Sequence, residues 1–246
     1  EKKQDDIKSN FNNSEINTSV PLSQSNSNVW STLHQWKDYN NIHYSDYFKV
    51  RLDDFYDVEL FKKNTSPSSL AELYRLLYTY DRPNLDLIYS TLSNIQDFRE
   101  LDRLSFANVL VSLIQSIPYA YVFHRSCDEE YNSRSEVKES MDNGTQCDGF
   151  NTWGVNSPIE FMKNLYGDCD TRTLILYTIM KKFGYGVVIL NNDNHSMLGV
   201  KLTPSSGGTY ISYLGERYYM WETTSKNWEF GDVPPDSRNS SWEIIP

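Results

Sequence analysis

Several things are scarce in this sequence, and each shortage closes off a class of function. Three cysteines among 246 residues are too few for a disulfide-built scaffold. The cysteines and the four histidines form no Cys-x-x-Cys or His-x-x-x-His pair, so no metal and no cofactor is expected, and His34 and His43 read as surface or packing residues. Basic residues are outnumbered 23 to 33, and the formal charge of −10 repels phosphate backbones and anionic lipid, which argues against nucleic acid as a partner. No apolar run approaches the roughly 20 residues of a membrane helix, and no basic-then-apolar signal segment opens the chain, so a soluble protein without a span is expected.

What is plentiful is aromatic: 11 Phe, 6 Trp and 18 Tyr, within a hydrophobic content of 39% that is enough for a real core. Tyrosine packs its ring while its hydroxyl stays wet, so such a composition suits either a surface that grips chains or sugars or, more plainly, a tyrosine-rich interior. These residues are unevenly spread. Residues 1–28 have scarcely any large apolar side chain to offset ordering entropy and read as a flexible leader, of a kind that could tether an exported protein to a membrane anchor N-terminal to it. Residues 29–69 form an aromatic-rich extension in which Tyr47 to Leu52 alternates as a strand, with Phe55 to Phe61 as a second after an Asp53-Asp54 turn.

Apolar residues then fall at helical spacing in three segments, Leu70 to Tyr80, Leu85 to Phe98 and Asp102 to Ile117, the last stopped by Pro118. Arg125 to Gly149 is polar and reads as a surface excursion bounded by Cys127 and Cys147. Pairing these two would limit the unfolded chain and imply an oxidising, extracytoplasmic compartment; the alternative is two free thiols in a cytosolic loop. A short helix from Pro158 leads to Gly167-Asp168-Cys169-Asp170-Thr171-Arg172-Thr173, where a turn glycine and capping residues start a helix that runs to Gly184. Strands follow over Gly186 to Leu190, His195 to Leu202, Thr209 to Leu214 and Tyr218 to Thr223. The pattern is α+β, a helical layer packed on an antiparallel β-meander.

Cys169 therefore lies at a helix N-terminus, where free N–H groups and the macrodipole favour a thiolate. His195 heads a strand with Met197 and side-chain-free Gly199 on its parity, which leaves space beside the imidazole. Glu222, set between Trp221 and Thr223, is a carboxylate in a run suited to burial, costly unless an imidazolium pairs with it. The order is Cys, His, acid, as an acyl-transfer triad needs.

This order resembles the transglutaminase-like superfamily, the papain-related group with a circularly shifted core, and most closely its bacterial and archaeal members. The motifs are Gln115-Ser116-Ile117-Pro118-Tyr119, the Pro158-led helix, Gly167-Asp168-Cys169, the Gly184 to Leu190 strand, His195 to Val200, and Trp221 to Thr224 with Trp228 after. The likeness spans Leu70 to Pro235, about two thirds of the chain, which makes 70–246 a transglutaminase-like catalytic domain. It implies Cys169 as nucleophile, His195 as base and Glu222 as the residue that orients it. The Cys169 backbone N–H would serve the oxyanion, with Gln115 as side-chain donor, Trp153 in reserve, or Gln115 instead bonding backbone. Two features depart from the family: Glu stands where Asp is commonest, and Asp168 and Asp170 flank the thiol and disfavour its charge.

The implied activity is cysteine-dependent acyl transfer on protein or peptide amide bonds through a thioester. A protease or deamidase is favoured over a cross-linking transglutaminase. The other reading is a catalytically silent domain of the same fold that serves as a protein-binding module.

Overall fold

The computed structural model describes residues 28–204 and 207–246, so the expected leader, apart from Asn28, lies outside the described residues. The described residues open with an antiparallel hairpin, β1 (Val29–Lys37) and β2 (His43–Arg51), which bury Trp36, Phe48 and Val50 on one face. Phe55 to Phe61, expected as a strand, is the middle of helix α1 (Leu52–Lys63). Acidic Asp53 and Asp54 open that helix and Lys62 and Lys63 close it, as the macrodipole favours, and the buried Phe55, Val58 and Lys62 share one helical face. A lysine on the buried face hid the stripe.

Lys62 is buried because its ammonium is satisfied: Nζ donates to Asn151 Oδ1, Val155 O and Glu160 Oε2, each at 2.8 Å.

Helices α2 (Leu70–Asp81), α3 (Asp86–Phe98) and α4 (Arg103–Ser116) follow the expected stripes, α2 capped by Ser69 and α4 by Asp102. The polar excursion is more ordered than its composition suggested. Short strand β3 (Ala120–Val122) leads to helices α5 (Cys127–Ser133) and α6 (Ser135–Asp142), and β4 (Gln146–Asp148) returns to pair in parallel with β3. Cys127 and Cys147 form a disulfide that ties the start of α5 to β4.

Helix α7 (Pro158–Asn164) begins with a capping box between Ser157 and Glu160, and α8 (Cys169–Lys182) ends at Gly184, whose φ of 73° lets Tyr185 N–H reach back to Met180 O. Five antiparallel strands complete the chain: β5 (Val187–Asn192), β6 (His195–Val200), β7 (Tyr210–Tyr213), β8 (Glu216–Trp221) and, beyond the short helix α9 (Pro235–Arg238), β9 (Glu243–Ile245). Their spatial order is β7-β8-β6-β5-β9. The protein is thus α+β, with an antiparallel sheet against helices.

One sheet face (Val187, Ile189, Leu198, Val200) joins the helices in a core that also takes in Trp36 and Phe48 of the hairpin. On the other face Val188, Leu190, Met197, Met220 and Val233 make a second cluster, with Trp242 and Ile244 packed against it. No space is left beside Gly199, contrary to expectation: a Cβ there would sit 2.9 Å from Val188 Cγ2 and 3.2 Å from Tyr218 Cβ. That glycine permits close strand packing instead.

A buried carboxyl under α7 gives a pH prediction. Asp81 is fully buried, accepts the Ile159 N–H at 2.9 Å through Oδ2 and leaves Oδ1 unpartnered. Burial pushes its carboxyl up to about 7, and burial aided by the Asp170 charge does the same to Asp168. Between about pH 4 and 7 the folded chain holds protons that the unfolded chain has released, so stability falls as pH rises through that window. Glu222, held below its ordinary value, acts in the opposite sense, and its contribution is lost as pH falls below about 4.5. Thermal denaturation should give a higher Tm near pH 5 than near pH 8. Asp81→Asn should flatten that slope, and equal slopes in the two proteins would show that Asp81 does not hold the proton.

Candidate active site

The N-terminus of α8 is built around its turn. Asp168 caps the helix by accepting the Thr171 N–H at 3.1 Å, and Gly167 is enclosed: a Cβ there would meet Thr171 Cγ2 at 2.7 Å and Phe161 Cδ2 at 3.0 Å. Cys169 is the first helical residue and partly exposed. The backbone N–H groups of Ser196 and Asp170 favour its charged form, though less than its surroundings oppose it. Ser196 is the residue after His195 on β6, so helix and strand bring the thiol and the imidazole-bearing segment together.

His195 and Glu222 form the tightest part of the site. Their contact is a 2.8 Å hydrogen bond between Nε2 and Oε2, with the carboxylate 1% exposed. The second oxygen, Oε1, accepts from Thr223 N–H and Thr224 N–H at 2.8 Å each and from Thr224 Oγ1 at 2.6 Å. Burial raises this carboxyl, but the hydrogen bond and charge of His195, followed by the Thr224 bonds, outweigh it and hold Glu222 below its ordinary value. The extra methylene of Glu over Asp is thus accommodated by a cradle of three donors. The ring of His195 also meets Trp242 edge-on, with centroids 6.4 Å apart.

The thiol's surroundings pull the other way. Burial first, then the charges of Asp170 and Asp168, push Cys169 well above the ordinary thiol value. Among the described residues no hydrogen bond joins its sulfur to His195. Asp170 is turned into a buried network: Tyr74 Oη donates to its Oδ1 at 2.7 Å, and Ser196 Oγ lies 2.5 Å from the same oxygen and 2.6 Å from Asn191 Oδ1.

Of its two expected roles Gln115 takes the second, bonding backbone, and Trp153 is committed as well, so neither is an oxyanion donor. Gln115 is buried, its Nε2 donating to Glu222 O at 2.7 Å and Trp228 O at 3.0 Å while its Oε1 accepts from Tyr39 Oη at 3.0 Å. It fixes the backbone of Glu222 and has no N–H left for a substrate. Trp153 Nε1 donates to Lys62 O at 3.1 Å.

A comparison with family models, with curated proteins and with solved structures found no match. The site therefore stands on its own geometry.

Two residues gained importance only in three dimensions. Arg172, wholly buried, donates Nε to Gly167 O at 2.8 Å, Nη1 to Ile114 O at 2.9 Å and Nη2 to Ile117 O at 2.6 Å. Burial lowers its guanidinium to about 10, which still leaves it charged at neutral pH. Tyr119 pairs its backbone with Gly167 in a parallel bridge, and its ring lies 5.6 Å from the Arg172 guanidinium. Burial, and then the Cys169 charge, raise its phenol, so it keeps its proton beside the thiol. From Tyr119 the rings of Tyr121 and Phe123 continue along β3 at centroid spacings of 5.5 and 5.2 Å. Only their spacing of two residues could have signalled this row in the sequence.

Among the described residues no group of three or more His, Cys, Asp or Glu side chains is placed to hold a metal ion, and no helix is long and apolar enough to cross a membrane.

Proposed function

We propose that the protein is a transglutaminase-like cysteine acyl-transferase that hydrolyses protein or peptide amide bonds, with Cys169, His195 and Glu222 as its triad on a papain-like core. The observation that carries this reading is the 2.8 Å bond from His195 to a buried, threonine-cradled Glu222, on the strand pair that faces the Cys169 helix N-terminus. A buried carboxylate beside an imidazole holds the ring in one orientation and stabilises its protonated form.

In the proposed reaction His195 takes the Cys169 proton as sulfur attacks the carbonyl carbon, forming the S–C bond. The C–N bond then breaks, and the amine leaves with the proton from His195. Water, deprotonated in turn by His195, attacks the thioester, releasing the carboxylic acid and the restored thiol. The Cys169 backbone N–H and the Tyr119 phenol donate to the oxyanion, in the role that Gln115 and Trp153 do not fill. The disulfide fits an extracytoplasmic setting, the compartment in which such bonds persist.

One observation favours a second reading, a silent domain that binds protein: the thiol is pushed up rather than down. Iodoacetamide separates the two. If His195 activates the thiol, Cys169 is alkylated at neutral pH faster than glutathione under the same conditions. A rate equal to or below that of glutathione overturns the enzymatic reading.

A further inference from the structure

The residue after Cys169 is hydrogen-bonded to the residue after His195. Ser196 Oγ donates to Asp170 Oδ1 at 2.5 Å, the same oxygen that accepts from Tyr74 Oη at 2.7 Å. The serine oxygen also lies 2.6 Å from Asn191 Oδ1 and 3.2 Å from Tyr74 Oη. Tyr74 and Ser196 are buried, so this is an interior polar knot, and it draws on four elements: α2, α8, β5 and β6.

One hydroxyl has one proton to donate. A carboxylate is a stronger acceptor than an amide oxygen, so the Ser196 proton goes to Asp170, and the Asn191 amide turns its –NH₂ toward Ser196 Oγ. Donation then runs in one direction, from Asn191 to Ser196 to Asp170, where Tyr74 joins it. The turn before β6 is tied as well, because Asn192 Oδ1 accepts from Asn194 N–H and His195 N–H at 2.9 Å each.

Asp170 is costly where it stands, since its charge, after burial, pushes the Cys169 thiol up. The same charge strengthens the knot, because hydrogen bonds to a carboxylate are about twice as strong as neutral ones. We propose that Asp170 is a positioning residue of the acyl-transfer site: through Ser196 it fixes the start of β6 against the start of α8, and so sets where His195 and the Ser196 N–H stand relative to the Cys169 sulfur. The inference rests on the acyl-transfer reading for its function, but the thiol alone tests its geometry.

The test compares Asp170→Asn with Asp170→Ala in the whole protein, by the rate of iodoacetamide alkylation between about pH 6 and 10. Cys169 is the only free thiol of the chain, since Cys127 and Cys147 are paired. Both changes remove the same charge and leave the other ionisable groups around the sulfur in place: Asp168 and Arg172 on α8, Tyr119 ahead of β3, Tyr74 on α2 and His195 on β6. Asp170 is partly exposed, so neither change empties the core. Asparagine keeps an oxygen for the two hydroxyls, and alanine does not.

Asp170→Asn should alkylate several-fold faster than the parent at neutral pH, with its pH profile shifted down, because a repelling charge is gone while the knot stays tied. Asp170→Ala should react roughly tenfold more slowly than Asp170→Asn, with its profile shifted up relative to that variant. Ser196→Ala, which cuts the bond from the strand side and keeps the Asp170 charge, should be slower than the parent. Equal rates and profiles for Asp170→Asn and Asp170→Ala would mean that only the charge acts on the thiol and would overturn the proposal, as would a faster Asp170→Ala. Failure of the acyl-transfer reading shows separately, as a parent that reacts no faster than glutathione, and the order of the two Asp170 variants still decides whether this residue positions the thiol.

Discussion

If the proposed acyl transfer operates, Glu222→Gln should slow amide-bond turnover by roughly 10²- to 10⁴-fold while leaving the fold in place. The isosteric amide can keep what Oε1 does now, accepting from Thr223 N–H, Thr224 N–H and Thr224 Oγ1. Its –NH₂ then faces His195 Nε2, which must become an acceptor, so the ring proton moves to Nδ1. That is the wrong tautomer for a base that has to take a proton from Cys169 through Nδ1, and the imidazolium loses the carboxylate that stabilises it. Alkylation of Cys169 should slow as well, and its dependence on pH should move toward that of a simple thiol. A Gln variant with unchanged turnover and an unchanged alkylation profile would show that the His195–Glu222 pair is only structural. Glu222→Ala is the poorer experiment, because it orphans three donors at a buried position and confounds chemistry with folding.

The contrast between these two oxygens explains what the sequence could and could not reveal. A carboxylate between Trp221 and Thr223 announces itself because it needs a hydrogen-bonding partner, and His195 is the partner that the chain supplies on a neighbouring strand. The start of α8 was legible for a similar local reason, since turn glycine, capping aspartate and closing glycine all lie within one segment. The stripes of α2 and α3 were equally plain, because each helix buries residues that recur at its own period.

What failed were features decided by distant partners. Helix α1 looked like a strand because its buried face contains Lys62, acceptable only through Glu160, which is 98 residues away. The motif around Gln115 left two roles open, oxyanion donor or backbone partner, because the carbonyls that consume its amide arrive 107 and 113 residues later. Strand β9 is three residues long, too short for any period, and exists because β5 offers an edge. Local chemistry was readable, and long-range satisfaction of buried polar groups was not.

Arg172→Met should be the most destabilising single change near the site, by about 3–5 kcal/mol. The guanidinium is wholly buried, yet it contacts no carboxylate; backbone carbonyls compensate it instead. Ile114 and Ile117 supply two of them from the end of α4, where the helix dipole is negative and a cation is favoured. Gly167 O supplies the third from the turn that presents Cys169. One planar fork thus fastens the end of one helix to the start of another, and it places a fixed positive charge where Asp168 and the Cys169 thiol would otherwise meet only each other's repulsion. Methionine fills much of the volume but leaves three carbonyls without partners, and a lysine ammonium is too compact to span all three, so Arg172→Lys should recover only part of the loss. Urea denaturation of both variants reads this directly as a lowered midpoint, with Met below Lys and Lys below the parent. Because the same contacts hold the Gly167 turn, Arg172→Lys should also alkylate more slowly at Cys169 under native conditions. A lysine variant of reduced stability but parental alkylation rate would limit Arg172 to holding the fold.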